Sequence, residues 1–381
     1  MKMWDGIERF VKGKPAALAG LKEVADEWLE APPLSVLQKK RLAPSGDPHD
    51  YVSMGAYLWP DATKPDGLPY LNRDGEVNPE FYEYDSVALE CLVFAVQHLA
   101  LYAVAADSPR HADQAGRLLR TWFIHPETRM NPHLNYGQFA PGRNEGSPFG
   151  IIDTTSLIFL VQAIGRLPFG AEWSADDLAA LRDWFSEYLN WLLTSDFGRA
   201  EGGMRNNHGS WYDAQVGVYA GFCGRPEVAA RQIEHQTPPR LLAQILPNGE
   251  QPHELARTLA LTYCHYNLLA HACSAEVGRH LGIDLWSPSG RGEGRLLQGL
   301  KWLQPFQLGQ EEWRYSQIHP FDFTAAAPLL YLAWLGTSDE EFLRRCGHVA
   351  PMPWQWFIFS KAALTGRKYP IRRGGGQAKA K

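Results

Sequence analysis

Strand-like alternation of apolar and polar residues is almost missing from this chain, and so is any disulfide framework. The five cysteines, Cys91, Cys223, Cys264, Cys273 and Cys346, are odd in number and scattered through apolar segments. That distribution reads as buried thiols. Cys264, His265, His271 and Cys273 lie close in sequence, but no paired Cys-x-x-Cys spacing accompanies them, so no metal and no other cofactor is expected. No fixed-period repeat is visible, which argues against a regular open solenoid. No apolar run approaches the roughly 20 residues that span a bilayer, so no membrane partner is expected. The opening Met1-Lys2-Met3-Trp4-Asp5-Gly6 has no signal-type apolar core, so the chain reads either as cytoplasmic or as lacking its leader. An excess of positive charge is missing too. Lys and Arg number 37 against 42 Asp and Glu, a net charge of −5, which excludes a general nucleic-acid binder. Any anionic ligand must therefore meet local positive charge.

What is present is core material and helical periodicity. Hydrophobic residues make up 45% of the 381 and aromatic ones 12%, enough for one large domain over 1–370, followed by a Gly-rich tail at 371–381 that reads as flexible. Apolar stripes of helical spacing predict helices over 16–28, 85–106, 112–122, 154–167, 175–193, 210–222, 226–245, 255–281, 296–303 and 321–334. Ser174 before Asp176 and Asp177, and Ser338 before Asp339-Glu340-Glu341, read as helix starts. Many antiparallel helix pairs without a sequence repeat predict an all-α (α/α) toroid, an incomplete barrel of helical hairpins. Two segments, 53–84 and 130–151, are too long to be simple connectors and are expected to carry function.

Three places hold chemistry. Arg205-Asn206-Asn207-His208-Gly209-Ser210-Trp211-Tyr212-Asp213-Ala214-Gln215 packs amides, an imidazole, aromatics and a carboxylate at the start of an apolar run. Asn207 and His208 would lie near the positive end of a helix, a place that suits an anion. The plainer reading is that Asn206 or Asn207 caps the helix and His208 is a satisfied polar residue. In the second, Arg257 and Tyr263 interrupt a long apolar helix and need partners. The plainer reading pairs Arg257 with Glu254 one turn away. Residues six apart fall roughly 120° from each other on an ideal helix, so Arg257 and Tyr263 converge only by reach or through a local break. Third, the long loops offer sugar-binding groups: Tyr57, Trp59, Tyr70, Tyr82 and Tyr84 in one, and Asn131, His133, Asn135, Tyr136, Gln138, Arg143 and Asn144 in the other. Aromatic faces stack on pyranose C–H surfaces, while amides and guanidinium groups bind hydroxyls and carboxylates.

Four motifs in order carry a resemblance over roughly residues 35–320. They are Trp59-Pro60-Asp61 with Lys64-Pro65-Asp66-Gly67-Leu68-Pro69-Tyr70; Arg129-Met130-Asn131-Pro132-x-Leu134-Asn135-Tyr136-Gly137-Gln138; Asn206-Asn207-His208-Gly209-x-Trp211-Tyr212-Asp213-x-Gln215; and Glu254-Leu255-Ala256-Arg257-Thr258-x-Ala260-Leu261-x-Tyr263. Together they resemble the alginate-lyase-type polysaccharide lyases. The resemblance implies a toroid that cleaves β-1,4-linked polyuronate, mannuronate blocks of alginate or glucuronan, by β-elimination. It maps the catalytic Asn-His pair onto Asn207 and His208, the arginine onto Arg257 and the tyrosine onto Tyr263. It also implies an anionic polysaccharide or oligosaccharide partner and a periplasmic or secreted location. Leu259 departs from the pattern, since relatives often carry Lys there.

On this reading Asn207, His208 and Arg257 neutralise the uronate carboxylate while Tyr263 takes the C5 proton, its phenolate favoured by Arg257. Expected sugar contacts are Tyr57, Trp59, Tyr70, Asn135, Tyr136, Gln138, Arg143, Trp211 and Tyr266. Glu201 orients His208 or shares in neutralising the carboxylate. Two rivals stand beside this. One is an (α/α) glycoside hydrolase, which needs two carboxylates about 5–9.5 Å apart and has Asp153, Asp213 and Glu254 on offer. The other is a non-catalytic oligouronate-binding protein.

Overall fold

The computed structural model describes residues 3–360; the end of the expected 1–370 domain and the tail at 371–381 lie outside them. Fifteen α-helices occur among the described residues. They are α1 (Ile7–Phe10), α2 (Pro15–Asp26), α3 (Asp85–Ala106), α4 (Pro109–Leu119), α5 (Leu157–Ile164), α6 (Ala175–Thr194), α7 (Asp196–Gly202), α8 (Asn207–Phe222), α9 (Pro226–Arg231), α10 (Thr237–Gln244), α11 (Pro252–Leu255), α12 (Ala260–Leu281), α13 (Arg295–Gln307), α14 (Ala327–Thr337) and α15 (Glu340–Val349). Four short strands accompany them: β1 (Val52–Met54), β2 (Leu58–Trp59), β3 (Leu71–Asn72) and β4 (Tyr136–Phe139). Sequential helices pack in pairs, α2 on α3, α3 on α4, α12 on α13 and α14 on α15, while α8 and α12 make the largest helix contact. The result is the expected (α/α) toroid of hairpins.

Helices whose apolar residues leave no polar face sit at the centre. In α8 and α12 nearly every residue is buried, and a polar contact joins them: Ser210 on α8 donates to Asn267 on α12 at 2.7 Å, and Asn267 in turn donates to Gln251, just before α11, at 2.9 Å. Helix α3 is, by length and composition, apolar enough to cross a membrane, contrary to the expectation from unbroken runs, but 72% of its apolar window is buried inside the protein. Cys264, His265, His271 and Cys273 are all buried on α12. His265 bonds Gln307, and His271 bonds Gln244 and Ser210. No three metal-binding side chains gather among the described residues.

The boundaries differ from the sequence reading where side chains intervene. The 226–245 helix is interrupted by a π-helical turn at Gln232–Gln236, and the 255–281 helix breaks between α11 and α12. Ser174 caps α6 with a reciprocal bond to Asp177. Ser338 does not cap α15. It closes α14 in a left-handed conformation, and Asp339 supplies the cap by accepting from the Glu341 N–H at 3.0 Å.

The start of α8 is anchored by a buried ion pair. Arg240 on α10 donates to Asp213 at 2.9 Å and to the Gly202 carbonyl at 2.6 Å, and also bonds the Met204 carbonyl. A Cβ at Gly209 would collide with that guanidinium and with the Met204 carbonyl, so glycine is required there. Burial pushes the Asp213 carboxyl up, and Arg240 pulls it back. Arg240→Ala leaves that carboxylate buried and unpaired, so it should cost about 3–5 kcal/mol. Urea unfolding would register this as a lower midpoint at unchanged slope. Arg240→Lys, which keeps the charge but not the fork, should recover only part of it.

Candidate active site

Asn206 caps α8, accepting from the His208 N–H at 3.3 Å, which leaves Asn207 and His208 as the first two helical residues. Helix α7 returns Glu201 to them, almost fully buried, with one carboxylate oxygen 2.6 Å from His208 Nδ1. A carboxylate only accepts, so Nδ1 carries the proton and Nε2 is the ring nitrogen left for a ligand. Of the two roles expected for Glu201, this contact is the orienting one. The Phe149 edge lies against the His208 ring at 5.2 Å, so the 130–151 loop reaches the site through an aromatic. Asn207 is buried, and both its backbone N–H and its side-chain Nδ2 donate to Glu254 at 2.7 Å.

Glu254 lies on α11, and the chain leaves helical geometry just after it. Leu259 is non-helical and bridges Gln317, while the Gln317 side chain accepts from the Leu261 N–H at 3.1 Å, satisfying a donor that a helix start leaves open. The break turns Arg257 back across the Tyr263 ring, with the guanidinium carbon 3.7 Å from the ring centroid. This is the local break that their spacing of six required. Leu259 is buried here.

Arg257 does not pair with Glu254. Its Nε lies 3.1 Å from Asp74, which also accepts from the Thr258 N–H at 3.0 Å. Asp74 follows β3 in the 53–84 loop, and its neighbour Gly75 has φ +83°. A Cβ on Gly75 would stand 2.6 Å from Thr258 Oγ1. The same loop delivers Tyr57, whose hydroxyl accepts from that of Tyr263 at 3.0 Å. Burial pushes the Tyr263 phenol well up, Tyr57 pushes it further, and Arg257 only partly offsets them. The phenol is therefore neutral, against the expectation that Arg257 would favour the anion. The charge of Arg257 is already balanced by Asp74.

The remaining expected contacts divide. Trp59 and Tyr70 are part-exposed on the first loop, Trp59 bonding the Glu76 carbonyl at 2.9 Å and Tyr70 bonding Glu80 at 3.0 Å. Arg143 is exposed, with no side-chain hydrogen bond or ion pair among the described residues. Asn135 is exposed and accepts from Trp191 at 3.0 Å. Tyr136 packs on a small cluster of Val52, Met54 and Tyr84, and Gln138 donates to Asp153 at 2.9 Å. Two expectations are corrected. Trp211 has no exposed surface and packs on Tyr266 at 4.6 Å, while the Tyr266 hydroxyl meets Thr155 at 2.9 Å, so both belong to the core. Asp74 and Phe149 were not singled out from sequence, and only their placement in long loops hinted at them.

The carboxylates a hydrolase would need are all committed elsewhere. Asp153 accepts from Tyr51, Ser53 and Gln138, Asp213 from Arg240 and Gln232, and Glu254 from Asn207, and all three are buried. None is placed to flank a glycosidic bond. The arrangement instead offers N–H donors, a guanidinium, an imidazole nitrogen and a neutral phenol.

Residues 35–313 match a family model described as alginate lyase. Among solved structures, the chain is similar to an alginate lyase from Bacteroides ovatus, at 33% identity and a TM-score of 0.84, over 96% of this chain and 97% of that one. It is similar to alginate lyase A1-III from Sphingomonas species A1 at 15% identity and a TM-score of 0.50, over 95% and 98%. It is also similar to a histidine-to-alanine form of alginate lyase A1-III complexed with a tetrasaccharide, at 14% and 0.50, over 86% and 88%. These last two likenesses concern the fold alone. No curated protein matches the chain.

Burial raises the Asp74 carboxyl, but hydrogen bonds from Arg257 and Thr258 outweigh it and hold the group below its ordinary value. A depressed carboxyl stabilises the fold above its unfolded pKa of about 3.9 and loses that contribution as pH falls through the native value. Asp74→Asn should therefore lower unfolding free energy by about 2 kcal/mol at pH 7. The gap from the unsubstituted protein should close progressively below about pH 4. A gap that stays constant down to acid unfolding would show that the ion pair contributes nothing.

Proposed function

The chain belongs to the alginate lyase family and is a polysaccharide lyase; from that premise we propose that it cleaves β-1,4-linked polyuronate, the mannuronate blocks of alginate or glucuronan, by β-elimination. The observation that carries this reading is the convergence of Arg257 on Tyr263 at the helix break, with Glu254 tying Asn207 to the same turn. The substrate is an anionic polysaccharide or oligosaccharide. The complex of an A1-III variant with a tetrasaccharide supports that class. Polymers of this kind are met outside the cytoplasm, so a periplasmic or secreted location belongs to the proposal.

Removing the C5 proton of a uronate builds negative charge on the adjacent carboxylate as an enolate. Asn207 has an amide hydrogen beyond the one given to Glu254, Arg257 has N–H groups beyond those facing Asp74, and His208 presents an Nε2–H when its ring carries a second proton. These are the neutralising donors, and loss of one such preorganised donor typically costs about 3–4 kcal/mol in the barrier. In mannuronate and glucuronate the C5 hydrogen and O4 lie on the same side, so Tyr263 serves as base and then as acid. In guluronate they lie on opposite sides, and His208 takes the proton while Tyr263 protonates O4. The neutral phenol is the form required for the acid step. The base step needs the phenolate, so on the one-residue route Tyr263 first gives its proton to Tyr57 as part-exposed Tyr57 releases its own to solvent.

Incubation with mannuronan or glucuronan, without added metal, should raise the ultraviolet absorbance of a 4,5-unsaturated uronate. Tyr263→Phe should abolish that signal, and Asn207→Ala should lower kcat by about 10²–10³-fold. An unchanged rate in Tyr263→Phe would overturn the mechanism, and reducing ends without unsaturated product would point to hydrolysis.

The same geometry sets a pH dependence. Because Tyr57 raises the Tyr263 phenol, Tyr57→Phe should move the alkaline rise of kcat for a same-side substrate to lower pH. A rise that does not move would remove Tyr57 from the proton path.

A further inference from the structure

Beside the His208 half of the site a groove of about 500 Å³ opens between the 202–206 turn and α10. Its lining includes Gly203, Met204, Arg205, Gln236, Arg240 and His253, and no carboxylate. Arg240 is balanced by buried Asp213. Arg205 and His253 are exposed and make no side-chain hydrogen bond or ion pair among the described residues. Their places in the chain are informative. Arg205 lies in the turn between Glu201 and His208, and His253 immediately precedes Glu254, which holds Asn207. The groove is therefore walled by the two backbone segments that meet at the Asn207–Glu254 contact. In a protein of net charge −5, a concave surface whose only charged side chains are basic is a local exception.

We infer that this groove is a subsite for a uronate residue of the bound chain, remote from the bond that breaks, with Arg205 and His253 receiving its carboxylate; this rests on the lyase reading above. A guanidinium takes a carboxylate through two parallel N–H bonds, and Arg205 has its whole fork available. The subsite holds the polymer without touching the reacting atoms. It favours chains long enough to reach from the Tyr263 phenol to the groove, and its contribution weakens as salt screens it.

Calorimetric titration tests this, with Arg205→Ala, His253→Ala and Arg205→Lys each carried in a Tyr263→Phe chain so that the ligand is not consumed. The ligands are mannuronate and glucuronate oligomers of two and six residues. Each alanine variant should weaken six-residue binding about five-fold, leave two-residue binding unchanged and flatten the salt dependence, and Arg205→Lys should restore part of the loss. Equal losses on both lengths, no loss on either, or no six-residue binding by the Tyr263→Phe parent would overturn the subsite. The lyase reading fails separately, by the absence of unsaturated product from the unsubstituted protein.

Discussion

Glu254 is almost wholly enclosed, and a buried carboxylate is tolerated only when its oxygens are bonded. Both are bonded by one residue, through the Asn207 backbone and side-chain N–H groups at 2.7 Å. That contact fixes the start of α8 against α11, and with it the two halves of the site. On one side it sets Asn207 and, one residue on, His208; on the other it sets the turn that carries Arg257. Burial pushes the Glu254 carboxyl up, and the Asn207 donors, Arg257 and His208 all favour its anion. A neutral side chain could not accept both Asn207 bonds in the same way, so the position of the amide depends on a charge far from water.

The second constraint is the helix break. An unbroken helix from 255 to 281 would place Arg257 and Tyr263 on different faces. Asp74 draws Arg257 and Thr258 away from helical pairing, and residues 316–318 supply the hydrogen bonds the helix gives up, the Ile318 N–H to the Thr258 carbonyl and the Ala260 N–H to the Ser316 carbonyl. Two loops far apart in sequence thus shape a turn that neither contains. Gly75 and Gly209 mark where backbone and side chain come too close for a Cβ, one on each half of the site.

These points explain what the sequence revealed. Helices α3, α6 and α12 were legible because their residues form long apolar stripes or carry a reciprocal cap. Asn207, His208, Arg257 and Tyr263 were legible as motifs, and the angular mismatch of the last two even required a break. Its location was not legible, because no Gly or Pro lies between Ala256 and Leu259, and the cause stands 183 residues from Arg257, at Asp74. Trp211 and Tyr266 misled for the opposite reason. An aromatic inside a motif looks like a sugar platform, yet these two fill the seam between α8 and α12 that holds the motif in place. Glu201 was legible only by its spacing from His208, and α7 is what folds it under that ring.

The electrostatic balance of the site bears on how it works. Arg257 enters every account as the positive charge that neutralises a uronate, but here it meets Asp74, and Tyr263 beside it is neutral. An unpaired guanidinium at this half-buried position would cost stability, and a standing phenolate beside it more so. The pairing lets both groups be held in place before any ligand arrives, so little has to reorganise when one does. On the proposed mechanism an arriving carboxylate would add negative charge to a centre already near balance, so the Asn207 amide would carry more of the developing enolate than charge counting assigns it. A site of this kind discriminates by the position of its donors more than by net charge.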